Sequence, residues 1–147
     1  MRRFSLFAAP IAILFATTAL AAPANQPRQS PEWDRLEQAF DGKDYGKARQ
    51  IAEALAGAGD PLAMNYLSVI LANGLGGPAD PDRAQRLLEK AAAASVLVAK
   101  LNLAVQLAAG GDKSQWPRAM SLLQEVAQDP KLASEVHYPL GRILLLG

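Results

Sequence analysis

Three polar residues near the carboxyl end could in principle perform nucleophilic chemistry. Ser134, Glu135 and His137 lie within four positions, and a serine hydroxyl beside an imidazole is a common nucleophile and base pair. On one helix the serine and histidine would be adjacent, but no third group to orient the imidazole and no oxyanion donors accompany them. We therefore favour a capping or surface role for His137 and keep catalysis there as the alternative.

Two pairs of carboxylates offer general acid and base chemistry. Asp80 and Asp82 flank Pro81, and Asp41 and Asp44 flank a Gly-Lys dipeptide. Both pairs stand where helices are expected to start, and an anionic side chain at a helix start accepts hydrogen bonds from free backbone N–H groups. Capping is the favoured interpretation, and no catalytic residue is assigned.

The residue types also limit what the chain can bind. It has no Cys and one His, which excludes disulfides, thiolate nucleophiles, cysteine-ligated zinc and multi-histidine metal sites. The glycine-rich stretch 74–78 (GLGGP) follows an expected helix and lacks the Lys-Ser/Thr sequel of a phosphate-binding loop, so it is interpreted as a turn. We expect no metal and no cofactor.

The elements that position these residues are expected to be helices. Beyond the first 22 residues the chain has no Thr, few Val and Ile, and abundant Ala and Leu, which favours an all-α domain. One pattern of apolar residues four and seven or eight apart, closed by a glycine, occurs three times. Its copies are Ala63, Leu67, Ile70, Leu71, Gly74; Ala99, Leu103, Gln106, Leu107, Gly110; and Val136, Leu140, Ile143, Leu144, Gly147.

A second pattern lies between these copies and completes a helix pair. Ala-x-x-Leu-Leu begins at Ala84 and again at Ala119, and Ala48 begins a similar stretch. Asp80 before Pro81, and Trp116 before Pro117, mark helix starts. The expected helices span about 31–41, 44–57, 60–73, 81–94, 96–109, 117–128 and 132–146. Repeating pairs of this kind predict a right-handed α-solenoid of antiparallel helix pairs.

Residues 63–92 resemble a Sel1-like repeat, a relative of the tetratricopeptide repeat with a longer glycine-containing turn. The matching positions are Ala63, Leu67, Leu71, Gly74, Gly76, Asp80, Ala84, Lys90, Ala91 and Ala92. The resemblance implies repeat units at about 32–59, 60–95 and 96–130, with a partial unit at 131–147. Relatives with disulfide-linked helix pairs have cysteines that this chain lacks, so their activities are not carried over.

The amino-terminal segment has the layout of a secretory signal. Arg2 and Arg3 precede an uncharged apolar run, and small residues follow at 19–22. Residues 1–21 are expected to be a cleaved signal peptide, with an uncleaved membrane anchor as the alternative, and the proline-rich residues 22–31 a disordered linker before a domain at 32–147. The destination is then periplasmic or secreted, with no membrane span after cleavage.

The charge balance gives no reason to expect a nucleic-acid partner. Loss of Arg2 and Arg3 with the signal leaves 13 of the 15 basic residues against 14 acidic ones. The first helices of successive pairs line the concave side of a solenoid, where a protein or peptide is the expected partner. Leu67, Leu103 and Leu140 are taken as the residues that face the interior of the helix stack. The residues two positions before and after each leucine are then the expected partner-binding residues: Asn65, Val69, Leu101, Val105, Tyr138 and Arg142. The alternative is that adjacent helices cover these six residues.

The last expected helix is unusual, because 143–146 is apolar on every side. This predicts either a truncated piece of a longer array or a homodimer formed through the carboxyl-terminal helix. The whole pattern favours an exported, non-enzymatic helical-repeat protein that mediates protein–protein contacts in the bacterial cell envelope. The alternatives are an envelope hydrolase or antibiotic-binding enzyme on the same repeat, and a fragment of a larger repeat scaffold.

Overall fold

The computed structural model describes residues 30–146, and within them it contains helices and no strand. The expected signal peptide, nearly all of the expected linker and Gly147 lie outside the described residues. Seven α-helices follow one another: α1 Pro31–Asp41, α2 Tyr45–Gly57, α3 Pro61–Ala72, α4 Pro81–Ala93, α5 Leu97–Ala109, α6 Trp116–Val126 and α7 His137–Leu146. Short 3-10 turns precede α6 and α7. The all-α prediction and its seven helices are confirmed for this part of the chain.

Local capping explains where several helices begin. The Asp44, Asp60 and Asp80 carboxylates accept hydrogen bonds from backbone N–H groups in the first turns of α2, α3 and α4. A proline follows the cap of α3 and of α4, where its missing N–H costs no hydrogen bond. The capping interpretation of Asp44 and Asp80 is confirmed. Asp41 was also expected at a helix start, and this is wrong because it is the last residue of α1.

The glycine-rich stretch between α3 and α4 forms a turn, as expected. Gly74 and Gly76 have φ of 63° and 68°, in the left-handed region that favours glycine. A Cβ added to Gly76 would stand 2.3 Å from the Tyr45 carbonyl oxygen, so the turn lies directly against the start of α2. The Arg49 guanidinium donates to the Pro78 carbonyl oxygen at 3.0 Å and holds the same turn from α2.

The core runs along the chain as three consecutive clusters. The first joins α1, α2, α3 and the start of α4; the second joins α4 and α5; the third joins α5, α6 and α7. Each helix packs against the next, and α5 also contacts α3 and α7. Small alanines, including Ala48, Ala63 and Ala99, are fully buried and allow this close helix packing.

The last helix begins later than expected. A helix was predicted from about residue 132, but 133–136 is a 3-10 turn and α7 begins at His137. Pro139 explains the difference. A helix starting at 132 would place Pro139 in its interior, where its ring clashes with the carbonyl of residue 135. Starting at His137 puts Pro139 in the first turn, where no N–H is needed.

No helix among residues 30–146 combines the length and the apolar character needed to cross a lipid bilayer.

Candidate functional site

A cavity of about 350 Å³ opens where α1, α3 and α5 meet. We call it the α3 cavity, because four of its six lining residues belong to that helix. Its lining residues are Phe40, Leu62, Asn65, Tyr66, Val69 and Val98. Five of the six are apolar or aromatic, and Val98 at the rim is 39% exposed. An apolar recess of this kind, with a single amide in it, suits an apolar side chain of a partner protein.

The aromatic wall of the α3 cavity is built by helix α1. The Tyr66 ring packs edge-on against Trp33, at 5.5 Å between ring centroids, and against Phe40, at 5.8 Å. Trp33 is buried, and its indole N–H donates to the Asp60 carboxylate at 3.1 Å. Asp60 also caps α3, so one side chain fixes α1 against the start of the helix that carries Tyr66.

Partial burial raises the pKa of the Tyr66 hydroxyl. Desolvation raises the pKa of Tyr66 above its ordinary value of 10.0, and the negative charges of Glu37 and Asp41 raise this pKa further. A phenol is neutral at physiological pH even without this shift, and the neutral hydroxyl can donate a hydrogen bond at the wall of the cavity. Trp33 and Phe40 of α1 cover part of the Tyr66 ring, which leaves this side chain partly buried.

Asn65 provides the polar group of the α3 cavity. It is only 4% exposed, and its side-chain oxygen accepts a hydrogen bond from the Asn102 amide of α5 at 3.0 Å. The Ser68 hydroxyl donates to the Asn65 carbonyl oxygen at 2.7 Å. These bonds satisfy buried polar groups and hold α3 and α5 side by side. Asn65 is thus already engaged inside the protein.

A second cavity, of about 510 Å³, lies on α7, and we call it the α7 cavity. His137, Tyr138, Gly141, Arg142 and Leu145 line it. Tyr138 and Leu145 are 68% and 86% exposed. The Nε of Arg142 is buried and has no hydrogen-bond partner among the described residues. A guanidinium in an open apolar recess favours a partner that brings a carboxylate.

Four of the six expected partner-binding residues line one of these two cavities, and the other two line neither. Asn65 and Val69 line the α3 cavity, while Tyr138 and Arg142 line the α7 cavity. Leu101 is partly buried against the third core cluster, and Val105 is 36% exposed on α5 and lines neither cavity. The six residues therefore do not form one site.

The pattern that first suggested catalysis is not assembled as a nucleophile and base. The Ser134 hydroxyl lies 3.5 Å from the Glu135 carboxylate, whereas the His137 Nδ1–H donates to the Ser134 carbonyl oxygen at 2.8 Å. All three residues are exposed. The imidazole thus closes the turn before α7, as expected for a capping histidine.

Sequence reasoning missed four residues of the α3 cavity: Phe40, Leu62, Tyr66 and Val98. Leu62 and Val98 occupy the same repeat position, one residue before Ala63 and Ala99, and this equivalence was the available clue. The prediction selected only residues two positions before or after Leu67 and Leu103, whereas Leu62 and Val98 lie five positions before these leucines. It also treated each helix alone, whereas the cavity is formed between helices.

Comparisons of this chain with protein-family models, with curated proteins and with solved structures found no match.

Proposed function

We propose that this chain is an exported, non-enzymatic helical-repeat protein of Sel1-like type that binds a protein or peptide segment in the bacterial cell envelope. The carrying observation is the α3 cavity, an apolar recess formed by three helices with one amide in its wall. Cavities of this composition accept apolar side chains of a partner, and the partly exposed Val98 provides accessible surface at the rim.

The solenoid arrangement is part of the proposal, and repeated contacts support it. Glu53 of α2 forms an ion pair with Arg83 of α4, and Glu89 of α4 forms one with Arg118 of α6. The two glutamates are 36 residues apart and the two arginines 35, which matches the spacing of the second-helix pattern. The same contact thus recurs between successive second helices, as expected of stacked units.

The contacts between first helices support the same arrangement. α5 lies between α3 and α7 and touches both. The Asn65–Asn102 hydrogen bond joins α3 to α5 on this side of the molecule. In a right-handed solenoid these helices line the concave surface, and that surface is where the α3 cavity opens in our proposal.

The binding proposal is tested by placing a charge in the α3 cavity. Val98→Glu is suitable because Val98 is at the rim and lies in the first turn of α5, where a glutamate favours the helix. Gln50→Glu adds the same charge on the exposed side of α2 and is the matched control.

Immobilised wild type and the control should recover the same set of proteins from envelope extract, identified by mass spectrometry. Val98→Glu should lose at least one member of this set while its circular dichroism spectrum remains unchanged. Identical sets for all three proteins would remove the α3 cavity from the proposed site.

The exported location rests on residues 1–22, and it has a direct test. Expression in a Gram-negative host should give a periplasmic product whose first residue is near Ala22. Replacing Arg2 and Arg3 by Glu removes the basic start of the signal and should leave the product in the cytoplasm. An uncleaved product in the membrane fraction would instead support the anchor alternative.

A further inference from the structure

A further cleft, of about 220 Å³, lies beside the α3 cavity where α3, α4 and α5 meet. We call it the amide cleft, because four of the ten described residues that line it carry a carboxamide: Asn73, Gln85, Asn102 and Gln106. None of these ten residues carries a charge. Such a cleft offers no ionic partner to a phosphate or a carboxylate, so a neutral polar ligand fits it better.

Gln85 brings a buried hydrogen-bond acceptor to the amide cleft. Its Oε1 atom is buried and has no hydrogen-bond partner among the described residues. Glu89 fixes this orientation, because the Gln85 Nε2 group donates to the Glu89 carboxylate at 3.1 Å and an ion-paired carboxylate only accepts. The Arg118 guanidinium holds Glu89 with two hydrogen bonds. A buried acceptor normally receives a hydrogen bond, so the cleft favours a ligand that brings an N–H or O–H donor.

Asn73 and Asn102 add carboxamides that are held in a similar way. The Asn73 Nδ2 group donates to the Val69 carbonyl oxygen at 2.8 Å, and the Asn102 Nδ2 group donates to the Asn65 side-chain oxygen at 3.0 Å. Each of these bonds uses one N–H and leaves the second N–H and the carbonyl oxygen of the same amide for other partners. A peptide group has one N–H donor and one C=O acceptor, so it matches such a set of carboxamides.

The amide cleft continues the α3 cavity along α3. Val69 lines both, and Asn65 of the α3 cavity is hydrogen-bonded to Asn102 of the cleft. The α3 cavity begins at Leu62 in the first turn of α3, whereas the cleft reaches Asn73, directly after the helix. At about 1.5 Å per helical residue these positions are about 16 Å apart, a distance that an extended chain covers in about five residues.

We propose that the partner segment binds along α3 as an extended chain of about five residues. One apolar side chain enters the α3 cavity, and the main-chain N–H and C=O groups of adjacent residues bond to the amide cleft, with one N–H donating to Gln85. This inference rests on the proposed function, because it uses the α3 cavity as the side-chain site. A helical segment does not fit the cleft, since its main-chain N–H groups are bonded within the helix and its diameter is about 10 Å.

Three small neutral probes separate main-chain recognition from apolar contact alone. N-acetyl-L-leucine N′-methylamide, the leucine probe, carries one apolar side chain and two peptide groups. N-acetyl-N-methyl-L-leucine N′,N′-dimethylamide is its methylated analogue, which keeps the side chain and both carbonyls but has no N–H donor. N-acetylglucosamine is the third probe, because its acetamido group brings an N–H and a C=O on a sugar.

NMR titration of isotope-labelled protein, followed through the side-chain amide signals of Gln85 and Asn102, measures binding at the cleft itself. The leucine probe should shift these signals saturably in the millimolar range, and its methyl groups should show nuclear Overhauser contacts to the Tyr66 ring. The methylated analogue should bind about tenfold more weakly, because it cannot donate to the Gln85 oxygen. N-acetylglucosamine should bind more weakly than the leucine probe.

Gln85→Met is the variant that removes the acceptor. Methionine has a similar length and flexibility, so the apolar contacts of this side chain are retained. In this variant, followed through Asn102, the preference for the leucine probe over its methylated analogue should fall from about tenfold to nearly none. Gln50→Met makes the same substitution on the exposed side of α2 and should keep the full preference. Circular dichroism verifies that both variants are folded.

Several results would overturn the inference. Without saturable shifts at the cleft, or with equal affinity for the leucine probe and its methylated analogue, the Gln85 oxygen would be a site for water only. Tighter binding of N-acetylglucosamine would assign the cleft to a sugar. A preference that survives in Gln85→Met would exclude Gln85, and missing contacts to Tyr66 would separate the cleft from the α3 cavity.

Failure of the inference and failure of the proposed function give different results. Equal affinity of the two leucine compounds removes main-chain recognition but leaves the loss of a partner by Val98→Glu as expected. Identical protein sets for Val98→Glu and wild type would remove the α3 cavity and the proposed function, whatever the small probes show.

Discussion

Gly76 illustrates how one residue ties two distant parts of the chain together. Its φ of 68° already disfavours a side chain, and the backbone of Tyr45 and Gly46 occupies the space where a Cβ would be. The turn between α3 and α4 can lie on the start of α2 only because this position has no side chain.

Gly76→Ala should therefore destabilise the protein more than its φ alone requires. We expect the free energy of unfolding to fall by about 3 kcal/mol or more, because left-handed strain and a backbone clash both act. Gly111→Ala is the control, since Gly111 has φ of 77° but nothing within 4 Å of an added Cβ. It should lose only about 1–2 kcal/mol. Urea denaturation measures both, and equal losses would show that the contact with Tyr45 is unimportant.

Tyr66 makes stability sensitive to alkaline pH. Burial raises the pKa of Tyr66 in the folded protein above 10.0, while the unfolded chain has the ordinary value. The contribution is complete below about pH 10 and is lost as the pH rises through the folded-state pKa, because the unfolded chain releases its proton first. Tyr66→Phe retains the ring contacts and removes this proton.

The free energy of unfolding should thus decrease less between about pH 8 and about pH 11 in Tyr66→Phe than in wild type. Urea denaturation at the two pH values gives the comparison. Identical decreases in the two proteins would show that Tyr66 is not responsible for the alkaline loss.

At the scale of elements, features caused by residues close in sequence could be predicted, whereas features that depend on distant residues could not. Asp44 and Asp80 were predictable as caps because a cap acts on the next three residues. The start of α7 was mispredicted because Pro139 is acceptable only in a first turn, a constraint the apolar pattern does not record. The burial of Tyr66 depends on Trp33 and Phe40 of α1, which are distant in sequence.

The site was predictable to the same limited extent. The repeat pattern selected Asn65 and Val69, which line the α3 cavity, but it also selected Leu101 and Val105, which do not. A helical wheel describes one helix, whereas a cavity depends on how far neighbouring helices stand apart. That distance is determined by side-chain packing between helices and is not encoded in a single periodic pattern.

The ion pair between α2 and α4 and the one between α4 and α6 should each contribute little to the free energy of unfolding. The Glu53 and Arg83 side chains are 34% and 40% exposed, so solvent screens their attraction. Double-mutant cycles with glutamine at Glu53 and Arg83, and at Glu89 and Arg118, should give coupling energies of about 0.2–1 kcal/mol. Thermal or urea denaturation in low salt and in about 1 M NaCl should show both couplings decreasing with salt. Couplings that are large and insensitive to salt would contradict this account.

At the scale of the whole molecule, the division of the core into three consecutive clusters predicts uneven stability. α1 and α7 share no cluster, and the second cluster, with its residues on α4 and α5, lies between the other two. In the stacked arrangement that we propose, stability is approximately a sum over neighbouring contacts, so a defect at one end affects mainly that end.

Leu123→Ala tests this expectation, because Leu123 is fully buried in the third cluster. The substitution should cost about 2–5 kcal/mol of local stability. Hydrogen–deuterium exchange with mass spectrometry should show faster exchange in α5, α6 and α7, with α1 to α3 nearly unchanged. Leu36→Ala in the first cluster should give the opposite distribution. Uniform acceleration in both variants would mean that the molecule unfolds as one unit.

The close approach of Gly76 to Tyr45 has a practical consequence for engineering. An epitope tag or reporter domain placed in the α3–α4 connection would have to separate two backbones that touch, so this connection is closed to grafting. The connection around Gly111 has open space where a side chain would project and is exposed to solvent. Labels and tethers therefore belong between α5 and α6.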